Sequence, residues 1–261
     1  LALNLYLDLE LEEAESLEVV SSGYGAGMFD DERHLGVRVA REILGHTNFK
    51  LTVHSQIPLA RGLGSSAALA LAAAHAAGAR DALAVATGID GHAENAAASM
   101  HGGLVVATVI SGVPVVESLN LDRELRFVVV IPEQELATAE AREVLPNAIA
   151  FKDATFNLAR LGLLIAGLAD HQHLRRDAMD DRLHQRYRGV LLPFADALLG
   201  SLVDAGALAS CWSGAGSAML GVTTQETSTQ VADAARVTLQ SLSVPGDVVV
   251  LNADHDGLVV S

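Results

Sequence analysis

The run Ile57-Pro58-Leu59-Ala60-Arg61-Gly62-Leu63-Gly64-Ser65-Ser66-Ala67-Ala68 limits what this chain can fold into more than any other stretch. Before it, Leu51-Thr52-Val53 carries β-branched residues and reads as a strand. After it, the Ala/Leu-rich run from Ala67 to about Gly78 reads as a helix. A strand must therefore turn into a helix through a loop holding Gly62 and Gly64, which allow close backbone approach and dihedrals closed to other residues. Ser65 and Ser66 fall where the helix begins, with free N–H groups and the positive end of the dipole facing outward. Such an arrangement receives an anion, most often a phosphate. The same residues also fit a plain Gly/Ser turn with a serine N-cap, and the string alone leaves both readings open.

The 261 residues can bury a sizeable core in one or two domains. The longest apolar runs, 69–77 and 161–169, are too short to span a bilayer. The opening residues read as strand rather than as a secretory signal, and a further segment upstream of Leu1 is expected. Net charge is −15, with only Lys50 and Lys152 beside fifteen arginines. That balance lacks the basic footprint a nucleic-acid binder needs. A site for an anionic substrate would have to gather its few arginines locally, so arginine positions carry information. The single cysteine, Cys211, excludes an internal disulfide and fits a reducing compartment; beside Trp212 it reads as a core residue.

Residues 1–10 end in alternating apolar and acidic positions, the period of a half-buried strand, and 17–20 reads as its hairpin partner. Asp30-Asp31-Glu32 opens a helix that Gly45 closes. Helices are expected over 67–78, 81–87 and 96–100, with Asp90-Gly91-His92-Ala93-Glu94-Asn95 as a polar connection, and a strand over 104–110. Beyond a seam at 119–126, residues 127–131 read as a buried strand ended by Pro132. Helices follow over 138–145, 153–168, 192–204 and 228–242, and strands over 209–212, 218–222 and 247–252. Asp254-His255-Asp256-Gly257 reads as a turn between strands. His171, His173 and His184 are spaced too irregularly to argue a metal site. The mixed order of elements favours an α+β fold, divided at the seam into 1–122 and 123–261.

No Gly-x-x-x-x-Gly-Lys-Ser/Thr string exists, so the common Walker cradle is absent, and no Gly-x-Gly-x-x-Gly fingerprint follows a strand. Gly-x-Ser-x-Gly is missing too. What remains is a different set of glycine loops. Pro58-x-x-x-Gly62-Leu63-Gly64-Ser65-Ser66-Ala67 resembles the ATP-phosphate loop of the GHMP small-molecule kinases, and Ser213-Gly214-Ala215-Gly216-Ser217 is similar to their late glycine motif. Gly91-His92-Ala93-Glu94-Asn95, Gly102-Gly103-Leu104, the stretch 136–146 (Leu-Ala-Thr-Ala-Glu-Ala-Arg-Glu-Val-Leu-Pro) and Asp180-Asp181-Arg182-Leu183-His184-Gln185-Arg186-Tyr187-Arg188 resemble the homoserine kinases within that superfamily. Together the strings cover essentially the whole chain.

The resemblance implies a two-domain GHMP fold, with an N-terminal domain like domain 2 of ribosomal protein S5 and a ferredoxin-like C-terminal domain. It implies a cytoplasmic enzyme of threonine biosynthesis that transfers phosphate from ATP, with Mg²⁺, to homoserine, and a possible homodimer. Pro58, Arg61, Gly62, Leu63, Gly64, Ser65, Ser66 and Ala67 would hold the ATP phosphates. Ser66 and Asp90 would ligate Mg²⁺, which takes oxygen donors. Ser66 and Asn95 would stand at the reacting groups; other GHMP kinases keep an aspartate where Asn95 stands, so no strong general base is implied. Thr138, Arg142, Arg188, Gly214 and Gly216 would line the substrate pocket. Residues 138 and 142 are four apart on a helix and share a face, and a guanidinium holds a carboxylate bidentately. From the residues alone, Arg142 could equally pair with a surface carboxylate such as Glu135.

The family's first motif, of the Ala-Asn-Leu-Gly-Pro-Gly-Phe-Asp kind, would lie just before Leu1. Glu94 stands where Asp is usual, Asp90 where Glu is common, and Ser217 where Pro is usual. Another small alcohol as acceptor, and a nucleotide-binding homologue that no longer catalyses, are the alternatives.

Overall fold

The computed structural model describes residues 1–260. The chain forms two compact units: the first holds Leu1–Leu59, Gly64–Leu119 and the segment from Asp254 onward, the second Ala60–Leu63 and Asn120–Ala253. Three short segments, 60–63, 120–122 and the one from 254 onward, thus lie across a cut placed between residues 122 and 123. Among the described residues no helix is long and apolar enough to cross a membrane.

In the first unit, β1 (Leu7–Glu13), β2 (Glu18–Gly23) and β3 (Phe49–Ser55) form one sheet in the order β1-β3-β2. The expected hairpin of the first two strands does not form. β3 lies between them, antiparallel to β1 and parallel to β2. Charge explains the choice. Lys50 on β3 is in register with both Glu12 and Glu18, and its Nζ lies 3.5 Å from the Glu12 carboxylate. A direct hairpin would instead bring Glu18 toward the acidic residues of β1 with no lysine between them.

The parallel pair needs a crossover, which α1 (Leu35–Leu44) provides. It starts three residues after the acidic run, because His34 Nδ1 accepts the Gly36 N–H while Asp31 is drawn into an ion pair with Arg33. Gly45, at φ +77°, closes it.

Three further helices, α2 (Ser65–Ala76), α3 (Ala82–Asp90) and α4 (Glu94–His101), follow. α2 is apolar on every side and packs on α1, α3, α4 and β1. Ala70, Ala73, Ala74, Ala86, Ala96 and Ala97 are wholly buried, with Leu71 among them, so methyl groups rather than long side chains set the helix spacing. α3 runs to Asp90 and α4 begins at Glu94. Asp90 and Asn95, expected in one loop, therefore sit on the end of one helix and the start of the next.

Two more strands, β4 (Leu104–Ile110) and β5 (Val113–Leu119), form an antiparallel ribbon. Ser111 and Gly112 both have positive φ, the type I′ hairpin geometry; β5 was not expected from the sequence, and this Ser-Gly pair was the unused signal for it. Among the described residues no strand follows Asp254-His255-Asp256-Gly257. Instead the segment lies on Gly102, where a Cβ would stand 2.7 Å from the His255 carbonyl carbon, and Leu258 N–H donates to Met100 O.

The second unit carries β6 (Leu125–Pro132), α5 (Thr138–Glu143), α6 (Phe151–Ala169), α7 (Gln185–Arg188), α8 (Ala195–Asp204), β7 (Ala209–Trp212), β8 (Met219–Thr224), α9 (Ser228–Ser241) and β9 (Gly246–Leu251). Its sheet runs β7-β8-β6-β9 with every neighbour antiparallel, the order of a ferredoxin-like β-α-β-β-α-β unit. α5, α6 and α7 are inserted in the first crossover. Val128, Val130, Leu198, Leu202, Trp212, Met219, Val231 and Leu239 make the core between sheet, α8 and α9. At the start of the unit, the Asp122 carboxylate accepts the N–H of Glu124 and both the N–H and Nδ1 of His171, the latter at 2.6 Å. These bonds hold the Asp122 carboxyl down at about 2 and raise His171 above its ordinary value. With Asp170 the pair gathers three possible ligand atoms within 4.8 Å, a grouping those hydrogen bonds already explain.

Candidate active site

In the first unit the head of α2 is capped by Gly64 at φ +76°, and no side chain caps it. A serine N-cap is therefore not what the Gly/Ser run builds. Ser65 and Ser66 lie inside the first turn, and the leading N–H groups stay open to a ligand. Ala67 is buried beneath them, and Pro58 is buried at the loop's entry. A Cβ at Gly64 would meet the Asn95 side chain at 3.7 Å, so Asn95 on the first turn of α4 stands beside the head of α2. Ser66 Oγ donates to Asp90 Oδ1 at 3.2 Å. An exposed hydroxyl and carboxylate this close form a pair of hard oxygen donors, the set Mg²⁺ prefers.

In the second unit, residues 60–63 are stitched to the sheet. Leu136 N–H donates to Ala60 O, Ala218 N–H to Arg61 O, and Ser213 Oγ to Gly62 O. Arg61 turns its guanidinium onto the carbonyls of Pro132 (2.7 Å) and Glu133 (2.5 Å), and pairs with Glu135 at 3.4 Å. Its side chain thus anchors the loop. Gly62 has φ +70°, and a Cβ there would lie 2.0 Å from Ser213 O. Leu63 is half-buried. Gly214 faces Gly62, and a Cβ on Gly216 would strike the Trp212 ring at 2.7 Å. The early and late glycine motifs need glycine because they interlock.

The arginines come together on the same unit. Arg188, buried at the end of α7, gives its Nε–H to Ala141 O (3.0 Å), and its Nη1 to His184 Nδ1 (3.1 Å) and Gly214 O (3.2 Å). Three of its five N–H groups are thus taken by protein, and the two on Nη2 are left. Arg142 and Thr138 on α5 are exposed. Glu135, the carboxylate with which Arg142 could have paired, is engaged by Arg61. Burial pulls the Arg188 pKa down; Asp181 opposes this and the nearby charge of Arg142 adds to it. Two guanidinium groups near enough to repel, with no carboxylate among the described residues bonded to either, suit an anionic ligand.

Known proteins resemble this chain over most of its length. The sequence profile of the GHMP kinases N terminal domain matches residues 34–103, and that of the GHMP kinases C terminal matches 157–238. Homoserine kinase of Aquifex aeolicus (strain VF5) is 33% identical over 277 aligned positions, covering 100% of this chain and 92% of the relative. The chain belongs to the GHMP kinase family. Within it, a homoserine kinase of Thermus thermophilus is 37% identical over 227 positions, 82% of this chain and 77% of that one. The crystal structure of homoserine kinase from Cytophaga hutchinsonii ATCC 33406 superposes with a TM-score of 0.82 at 26% identity, covering 96% of this chain and 86% of that chain.

This GHMP kinase also uses residues that the motifs alone did not single out. Asp181 accepts the N–H groups of Leu183, His184 and Gln185 at 3.0, 2.6 and 2.7 Å, and Asn157 Nδ2 at 2.7 Å. Burial pushes its carboxyl up, but these donors outweigh burial and hold it below its ordinary value. The usable signal was the four-residue spacing of His184 and Arg188, which puts both on one helical face.

Proposed function

We propose that this protein phosphorylates the side-chain hydroxyl of L-homoserine with ATP, yielding O-phospho-L-homoserine and ADP, as a cytoplasmic step of threonine biosynthesis. The guanidinium groups of Arg142 and Arg188, near enough to repel and bonded to no carboxylate among the described residues, are the observation that carries the choice of an acceptor bearing a carboxylate. Thr138, one turn from Arg142, adds a hydroxyl on the same helix face. The relatives named homoserine kinase support the same acceptor. A homodimer is the assembly we propose.

The amides of Ser65 and Ser66 at the head of α2, with Ala67 packed beneath them, would receive the ATP phosphates, helped by the positive end of the helix dipole. Gly64 would keep the head of α2 free of side-chain bulk. In the second unit Gly62 and Gly214 let their two backbones meet, Gly216 leaves room for the Trp212 ring, and Arg61 fixes residues 60–63, Leu63 included, to the neighbouring carbonyls. Ser66 and Asp90 would hold Mg²⁺, which supplies charge neutralisation at the phosphates when bound. Asn95 would orient a polar group beside the α2 head without accepting a proton.

During transfer the acceptor oxygen bonds to the γ-phosphorus as the bond to the bridging oxygen breaks, and ADP leaves with that electron pair. The hydroxyl proton is released late, to the transferred phosphoryl oxygens or to water, so the lack of a strong base is tolerable. Catalysis then rests on alignment and on fixed dipoles. ADP release measured with homoserine, with other small alcohols and with no acceptor tests the reading. Turnover dependent on homoserine supports it. Preference for an alcohol without a carboxylate, or ATP binding without turnover, overturns it.

A further inference from the structure

The segment leading into α7 is held to α6 by more contacts than its length requires. Asn157 on α6 bonds both Asp181 (2.7 Å) and the N–H of Arg182 (3.0 Å). Arg182 stacks on the Phe156 ring at 3.8 Å, and Asp153 pairs with Arg182 and Arg186. Every one of these ties fixes the start of α7. The residue that carries them into the site is His184. Its carbonyl accepts the Arg188 N–H at 3.0 Å, and its ring Nδ1 accepts from Arg188 Nη1 at 3.1 Å. Among the described residues the ring is the single side-chain acceptor on that guanidinium, since the other two are the carbonyls of Ala141 and Gly214.

We propose that His184, seated by Asp181 and Asn157, is a positioning residue that aims the Arg188 guanidinium at the acceptor's carboxylate, and does so only while its Nδ1 carries no proton. This rests on the function proposed above. An Nδ1 that accepts from Arg188 leaves the proton on Nε2, on the side where Asp181 Oδ1 lies 3.8 Å away. Protonating Nδ1 would set N–H against N–H and remove the acceptor. The charged groups acting on the ring are Asp181, which favours the cation, and Arg188, which opposes it; from α5, Arg142 acts on Arg188. On α6, Asp153 is already engaged by Arg182 and Arg186. Burial is the largest influence, and the His184 pKa lies below the ordinary histidine value. The ring is therefore neutral near pH 7 and gains its proton only in acid.

Two substitutions separate this role from simple scaffolding. Asn at position 184 offers an oxygen close to the place of Nδ1 that does not titrate; Ala offers nothing. With the full chain assayed between about pH 5 and pH 8, the wild type should show a homoserine KM that climbs on the acid side. His184→Asn should keep the neutral KM and lose that climb. His184→Ala should raise the homoserine KM about tenfold or more across the range, with kcat and the ATP KM changed far less. Ionisation of ATP affects all three proteins alike, so the difference between profiles is the readout. A wild-type profile matched by His184→Asn, or a His184→Ala variant with unchanged homoserine KM, overturns the proposal while leaving the function intact. A second measurement does not depend on the acceptor. Long-range ¹H–¹⁵N spectra of the free protein, with the His184 signals assigned by their loss in His184→Asn, should show an unprotonated Nδ1 at neutral pH. An Nδ1–H tautomer overturns the proposal even if homoserine proves not to be the acceptor.

Discussion

Ser213 Oγ donates to the carbonyl oxygen of Gly62 at 2.8 Å, across 151 positions of sequence. The two backbones lie so close that a Cβ on Gly62 would stand 2.0 Å from Ser213 O. Gly62 of the early motif and Ser213-Gly214 of the late one are thus two sides of one contact, and both glycines are required there.

Gly62→Ala should be costly for that reason. The side chain would need a positive φ and would displace the Ser213 carbonyl, so the strain alone is worth ~1–3 kcal/mol. We expect a lower melting temperature together with a raised ATP KM. A variant that melts with the wild type would show that the contact yields freely.

Arg142 has no ion pair to lose among the described residues, so its removal should fall on the ligand. Arg142→Ala is expected to raise the homoserine KM by about 10- to 100-fold, the worth of a hydrogen bond to a charged group, and to leave the ATP KM within a few-fold. Steady-state kinetics with each substrate varied in turn decides this. Equal effects on both constants would remove Arg142 from the carboxylate clamp.

Ser66 and Asp90 are bonded to each other and share the proposed metal. Ser66→Ala and Asp90→Asn should each shift the Mg²⁺ dependence of turnover to higher concentration and lower activity by about 10- to 100-fold. Chelation should abolish turnover in the wild type. If the Mg²⁺ titration is unmoved in both variants, the metal is held elsewhere.

Asp122 and His171 make a pH-dependent contribution to stability whose sign follows from the two shifts. Asp122 titrates at about 2 in the folded chain against an ordinary 3.8, so its contribution is present above 3.8 and fades as pH falls toward 2. His171 is raised above its ordinary 6.5, so its contribution is full below 6.5 and is lost as pH rises through the raised value. Asp122→Asn should therefore lower the melting temperature most between pH 3.8 and pH 6.5 and progressively less on either side. Thermal scans of both proteins across pH check it, and a difference that does not vary with pH would refute the linkage.

Much of this was legible in the residues themselves. The strand–loop–helix around Gly62 and Gly64, the Ala-rich α2, the buried β6 and the spacing of Thr138 and Arg142 are local patterns. Periodicity and composition report on a few neighbouring residues, and these elements are decided at that range. Partners distant in sequence were not legible. Lys50, aligned with Glu12 and Glu18, put β3 between two strands that read as a hairpin. Arg61 found the carbonyls of Pro132 and Glu133, more than seventy positions away, and ties the loop to them. Gly102 proved to make room for the returning segment at His255. By itself the chain determined which segments would be helix or strand and which family's chemistry its loops could serve. Only the folded structure decided which strands pair and which acceptors each arginine meets, because those choices are made by charge and packing between residues that local sequence never brings together.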